Sequence, residues 1–184
     1  MGGMIAQELA LAYPQKVNRL VLLASLARAH AYADAWLRYM EQASQLVNAG
    51  ALDRAGFALN TMPWLYTPAF MTRPEMVEMA LQQTLADPYP ATPAGIAAQA
   101  EACRRHLFGD ALDRIRGIAA PTLVLVGAED ILTPPAYSRA MAERIPGARL
   151  QVLERGGHGM PIEYPQEVNA ALLAFLGEPA TVSA

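Results

Sequence analysis

The chain has 184 residues, 53% of them hydrophobic, with a formal net charge of -3, a length that allows one sizeable core with an accessory layer rather than two independent domains. Interspersed charges of slightly acidic balance exclude an electrostatic nucleic-acid surface, and the single Cys103 excludes an internal disulfide or a cysteine metal cluster. The longest apolar runs are broken at Ser25 and Pro121 before they could span a bilayer, and no basic segment precedes an apolar one, so a soluble cytoplasmic protein with no membrane partner is expected.

The opening "MGGMIAQELALAYP" puts Met1, Ile5, Leu9 and Ala12 at the three-to-four spacing of one helix face, which predicts a first helix buried along that stripe. Gly2, Gly3, Ala6 and Ala10 would let neighbouring backbone approach, and Pro14 stops the helix after Tyr13. In "VNRLVLLAS" the run Leu20 to Ala24 reads as a strand covered on both faces, closing a first core segment over residues 1–25. Residues 26–117 have a different texture, with helical patterns at Ala33 to Asn48, Leu52 to Asn60, Pro74 to Leu85 and Pro93 to Phe108, punctuated by Pro63, Pro68, Pro88 and Pro90. Thr92 ahead of Pro93 is an N-cap followed by a proline at the first helical position. This helical insertion holds Trp36, Trp64 and most of the methionines, a set suited to a lid over an apolar pocket and equally to the insertion's own core.

The last segment, residues 118–184, returns to alternating strands and helices. Leu123 to Val126 and Leu150 to Leu153 read as strands, Tyr137, Met141 and Ile145 as one face of the helix between them, and Pro165 to Gly177 as a closing helix; the tail from Glu178 to Ala184 reads as disordered. Strand, helix, strand, helix spells a parallel α/β layer. Two loops follow strand ends, where open α/β sheets place their sites: "GAEDILTP", with Asp130, and "GGHGMPIEYP", with His158. A carboxylate beside an imidazole is the orienting pair of a general base, because the acid fixes the tautomer and stabilises the imidazolium. A buried Asp–His pair with no catalytic role is the plainer alternative. Glu129 reads as solvated, Cys103 as packing, and His30 and His106 have no assigned role.

The stretch "PTLVLVGAEDILTPPAYSRAMAERIPGARLQVLERGGHGMPIEYPQEVNAALLAFL" resembles the C-terminal third of α/β-hydrolase-fold enzymes, in which nucleophile, acid and histidine follow in that order. The resemblance covers Met1 to Ser25 and about Asp110 to Gly177; the insertion is more loosely similar to the cap of the lactonase, haloperoxidase-like and esterase branches. It implies a partial α/β-hydrolase fold, a three-stranded parallel sheet with flanking helices and an inserted helical cap. Asp130 would be the triad acid, His158 the base, and Trp36, Trp64 and Met160 would face a small apolar ester or lactone, cleaved through an acyl-enzyme without cofactor or metal.

In such enzymes the nucleophile elbow reads G-x-S-x-G, commonly G-x-S-M-G-G, and "MGGMIAQELA" begins with the residue that would follow the serine. The resemblance thus implies a truncated chain, inactive alone, in which the backbone amide of Met1 holds an oxyanion-hole position. Ser25, Ser44, Ser138 and Ser183 lack the flanking glycines of an elbow, and Ser25 is expected to be structural or to line the pocket. The strand from Leu20 would have one edge open, which predicts self-association. A non-catalytic binding module on the same scaffold, or a C–C bond hydrolase or cofactor-free haloperoxidase, would share every residue named.

Overall fold

A computed structural model describes residues 1–178. The chain runs through α1 (Gly2–Ala12) and β1 (Leu20–Leu23), then five helices, α2 (Ala31–Asn48), α3 (Arg54–Leu65), α4 (Pro68–Met71), α5 (Pro74–Leu85) and α6 (Pro93–Phe108). It continues through α7 (Ala111–Arg114), β2 (Thr122–Gly127), α8 (Pro135–Arg144), β3 (Arg149–Leu153), α9 (Met160–Glu163) and α10 (Pro165–Leu176). The strands form one parallel sheet in the order β1-β2-β3, with Leu20 opposite Thr122 and Leu123 opposite Arg149. All six residues of the central strand are buried, as a continuous apolar run in a parallel sheet requires.

Each face of the sheet is covered. On one, Leu20, Leu22 and Val124 pack with Ile115, Met141 and Ile145; on the other, Leu123 and Leu125 pack with Met160, Val168 and Phe175. The strands lie within two residues of their expected limits, and α5 and α6 match theirs. The third helix differs. The Asp53 carboxylate accepts from the Gly56 amide at 2.6 Å and starts it at Arg54, and it runs through Pro63 to Leu65, because a proline so near the C-terminal end removes one ladder bond without stopping the last turn.

The first helix is turned the other way from expectation. Met1, Ile5 and Leu9 are 49%, 57% and 46% exposed and Ala12 is also outward, while Gln7 and Ala10 are buried. Close approach decides this: a Cβ on Gly3 would lie 2.3 Å from Ser25 Oγ, so only the side bearing Gly3, Gln7 and Ala10 can face the end of β1. Gln7 then meets the polar groups of that turn. Its Nε2 donates to Leu26 O at 3.2 Å and Ser25 Oγ at 3.4 Å, and its Oε1 lies 3.1 Å from Nε2 of buried His106, whose Nδ1 is 2.9 Å from Glu8 Oε1. His106 therefore ties α6 to α1. Gln7→Ala strands a buried carbonyl and a buried imidazole nitrogen, and is expected to cost about 1–3 kcal/mol in urea unfolding, against near neutrality for Ile5→Ala on the exposed face.

The helices between β1 and β2 hold a small core of their own around Met62, Phe70 and Ala80. The Arg104 fork meets both Glu41 oxygens at 3.0 and 2.6 Å, locking α6 to α2. At the far end of the chain, Glu178, expected to be loose, is gripped by Arg149 at 2.7 Å through both oxygens; the rest of the expected disordered tail, residues 179–184, lies outside the described residues. Among the described residues no helix is long and apolar enough to cross a membrane.

Candidate active site

Gly127 at the end of β2 pairs with Leu153 at the end of β3, so the two loops leave the sheet level with each other. They also touch through backbone: Glu129 N donates to Gly156 O at 3.1 Å, and a Cβ on Gly127 would stand 2.1 Å from that oxygen. Gly156 has φ +103°, the left-handed region that turns the chain back toward His158. The 28-residue separation thus collapses to a contact, with Asp130 Oδ2 lying 3.2 Å from His158 Nδ1.

Asp130 is 2% exposed and both of its oxygens are occupied. The Thr133 amide donates to Oδ1 at 2.7 Å and the Thr133 hydroxyl to Oδ2 at 2.6 Å, while the same hydroxyl oxygen lies 3.2 Å from His158 Nδ1. Burial pushes the Asp130 pKa up, but the hydrogen bond and charge of His158 and the two bonds from Thr133 outweigh it and hold the carboxyl below its ordinary value. With Asp130 ionised and acceptor-only, Nδ1 must carry the proton, which leaves Nε2 as the basic nitrogen. Because the folded pKa is depressed, the stability this contributes is present above the ordinary carboxylate pKa of about 3.9 and is lost as pH falls through the folded value. In urea unfolding the gap between the native chain and Asp130→Asn is therefore expected to be widest near neutral pH and to close in acid.

His158 opens onto a cavity of about 240 Å³ between the sheet and the helical segment. Its walls are mostly apolar, with Trp36 and Met40 from α2, Ile96 and Cys103 from α6, and Leu132 beside the Asp130 loop, and Gln99 of α6 adds a polar group; no Lys or Arg lines it among the described residues. Ser25 and Met1 reach the same cavity, Ser25 at the end of β1 and Met1 at the start of α1. Burial pushes the Cys103 thiol up, away from thiolate chemistry.

The structure separates the three residues expected to face substrate. Trp36 lines the cavity. Trp64 stands behind it, with ring centroids 5.6 Å apart, and is not among the lining residues. Met160 is fully buried against Leu125 and Val168, because α9 turns its first side chain under the sheet. Sequence reasoning missed Thr133, although a threonine three residues past an aspartate is a recognisable turn signal; it also missed Ala24, which lines the cavity with φ +45° in a region that usually takes glycine. No cluster of three or more His, Cys, Asp or Glu that could hold a metal occurs among the described residues.

This arrangement, a parallel sheet whose adjacent loops bring an aspartate and a histidine together under a helical segment, is that of a hydrolase scaffold. The sequence profile of the alpha/beta hydrolase fold matches residues 1–165, and the chain belongs to that family. It is 32% identical over 180 residues to the 3-oxoadipate enol-lactonase 2 of Acinetobacter baylyi, a match covering 96% of this chain and 61% of that protein. Among solved structures, a thermophilic esterase from Thermogutta terrifontis superposes with a TM-score of 0.77 at 31% identity, over 98% of this chain and 63% of that one. Rv0554 from Mycobacterium tuberculosis gives a TM-score of 0.79 at 26% identity, over 99% and 63%. The chain thus spans slightly under two thirds of the length of these relatives.

Proposed function

We propose that this chain carries the acid and base of a Ser-His-Asp hydrolase acting on small, uncharged esters or lactones. The observation that carries the reading is the 3.2 Å contact between a buried, ionised Asp130 and a His158 that opens onto an apolar cavity. In the reaction, Asp130 holds His158 in the Nδ1–H tautomer, and Nε2 takes the proton of a serine hydroxyl as that oxygen attacks the carbonyl. The protonated imidazole then gives the proton to the leaving alkoxide; in the second half it activates water to release the acid. The serine of a glycine-flanked elbow is not among the 184 residues, and its proposed place is directly ahead of Met1, whose amide would then serve the oxyanion.

Residues 26–117 act as the cap, with Trp36 against the acyl group and Trp64 buttressing it. The related Acinetobacter lactonase and Thermogutta esterase support an ester or lactone bond as the target. Hydrolysis of short p-nitrophenyl esters tests the reading, comparing the 184 residues with the longer polypeptide read in frame upstream. The longer form is expected to turn over and the 184 residues to match buffer. Turnover by neither, with p-nitrophenyl esters still bound in the cavity, would favour a binding module instead.

The sheet order leaves the outer edge of β1 unpaired among the described residues, and such an edge offers a row of free backbone groups to another chain. The 184 residues alone are expected to self-associate at high concentration. Light scattering that finds a stable monomer there would contradict this.

A further inference from the structure

The loop that carries His158 contains Gly156, Gly157 and Gly159, so it has almost no side chains of its own with which to hold its shape. Its order comes from hydrogen bonds made on both sides of the histidine, and both lead to the same place. Gly157 N, directly ahead of His158, donates to Glu163 Oε1 at 2.9 Å. Gly159 N, directly after it, donates to Leu65 O at 2.6 Å, at the end of α3 in the helical segment. The other oxygen of Glu163 reaches that same turn, accepting from the Thr67 hydroxyl at 2.5 Å and the Thr67 amide at 3.3 Å. Close packing reinforces the seam: a Cβ on Gly159 would lie 2.4 Å from the Tyr66 ring, and one on Gly157 2.8 Å from Leu65 O.

Glu163 is 7% exposed and makes no ion pair among the described residues. A carboxylate taken out of water without a cation is costly, and among the described residues it is satisfied by two amides and a hydroxyl. All three of these donors belong either to the His158 loop or to the turn at Thr67. Thr67 is itself fixed, since its hydroxyl oxygen also accepts from Phe70 N at 3.3 Å and so caps α4.

We propose that Glu163 is a positioning residue that couples the cap to the base: its carboxylate ties the amide next to His158 to the Thr67 turn, so that the seating of the cap sets the placement of the imidazole against Asp130. This rests on His158 being the base. It predicts that loosening the tie frees the two glycine amides and weakens the Asp130–His158 hydrogen bond while leaving the sheet intact.

The test is made on the 184-residue chain by NMR and does not need turnover. Amide exchange at Gly157 and Gly159 is measured against the amides of β2, together with the His158 Nδ1–H resonance, in the native chain and in Glu163→Gln, Thr67→Val and Thr67→Ser. A glutamine cannot serve both sides, because whichever way it turns its NH₂ faces a backbone N–H donor; Thr67→Val removes only the hydroxyl, and Thr67→Ser restores it. Glu163→Gln and Thr67→Val are expected to speed exchange at Gly157 and Gly159 about tenfold or more relative to β2 and to broaden the Nδ1–H signal, with Thr67→Ser close to native. Should Glu163→Gln fail to fold, the Thr67 pair decides. Exchange that rises at the glycines no more than in β2, or an unchanged Nδ1–H signal, would reduce Glu163 to ordinary packing and overturn the proposal. Ester hydrolysis by the upstream-extended polypeptide that survives His158→Ala would instead overturn the reading of His158 as base, whatever the exchange data show.

Discussion

Gly127→Ala is expected to lower stability by roughly 3 kcal/mol, at the upper end of what overpacking costs, and to disturb both candidate catalytic loops at once. The added Cβ would stand 2.1 Å from Gly156 O, 2.6 Å from Gly156 C and 3.2 Å from its Cα. All three are backbone atoms, so no side-chain rotation relieves the clash. The His158 loop must move away from the end of β2, which breaks the bond from Glu129 N to Gly156 O and draws Nδ1 from Asp130. In thermal unfolding the midpoint should fall by about 6–12 °C for a chain of this size. Gly2→Ala is the matched control, since nothing lies within 4 Å of its would-be Cβ, and it is expected to shift the midpoint little.

The second large effect concerns activity. In the proposed hydrolase, the upstream-extended polypeptide, His158→Ala is expected to lower kcat by about 10⁶, the loss that follows from removing the base of such a triad. Asp130→Asn is expected to lower it by about 10⁴, since the amide would donate to Nδ1 and stabilise the wrong tautomer. Thr133→Val should fall well short of either: it removes the hydroxyl bond to Asp130 Oδ2 but leaves the backbone bond to Oδ1. Steady-state kinetics on the three variants, with KM nearly unchanged in the first two, checks the order.

The parts of this structure that were legible in the sequence are those whose signals are local. The apolar run at Leu123 to Val126 announces a buried central strand, and the glycine turns before Asp130 and His158 announce loops leaving strand ends; the fold follows from three parallel strands, of which only the central one is buried throughout. What was not legible depends on the partner rather than on the segment. The stripe Met1, Ile5, Leu9 is as apolar as any core face, yet the helix turns on how near Gly3 must come to Ser25. Met160 sits two residues from His158 in sequence, and only the packing of α9 under the sheet sends its side chain to Val168 instead of to the cavity. Nothing local in "MPIEYP" marks Glu163 for burial; it is buried because a turn nearly a hundred residues earlier supplies two of its three donors.

The most direct test of Asp130 and His158 as acid and base is labelling of the longer, upstream-extended polypeptide by a serine-directed fluorophosphonate, native against His158→Ala, with the labelled peptide mapped. Labelling reports activation of the nucleophile without depending on which ester is the substrate. Rapid labelling is expected at a serine directly ahead of Met1, slowed at least a thousandfold by His158→Ala in keeping with loss of a general base, with no labelling of the 184 residues alone. Labelling of the 184 residues by themselves at Ser25, or labelling at the same rate without His158, would contradict these roles.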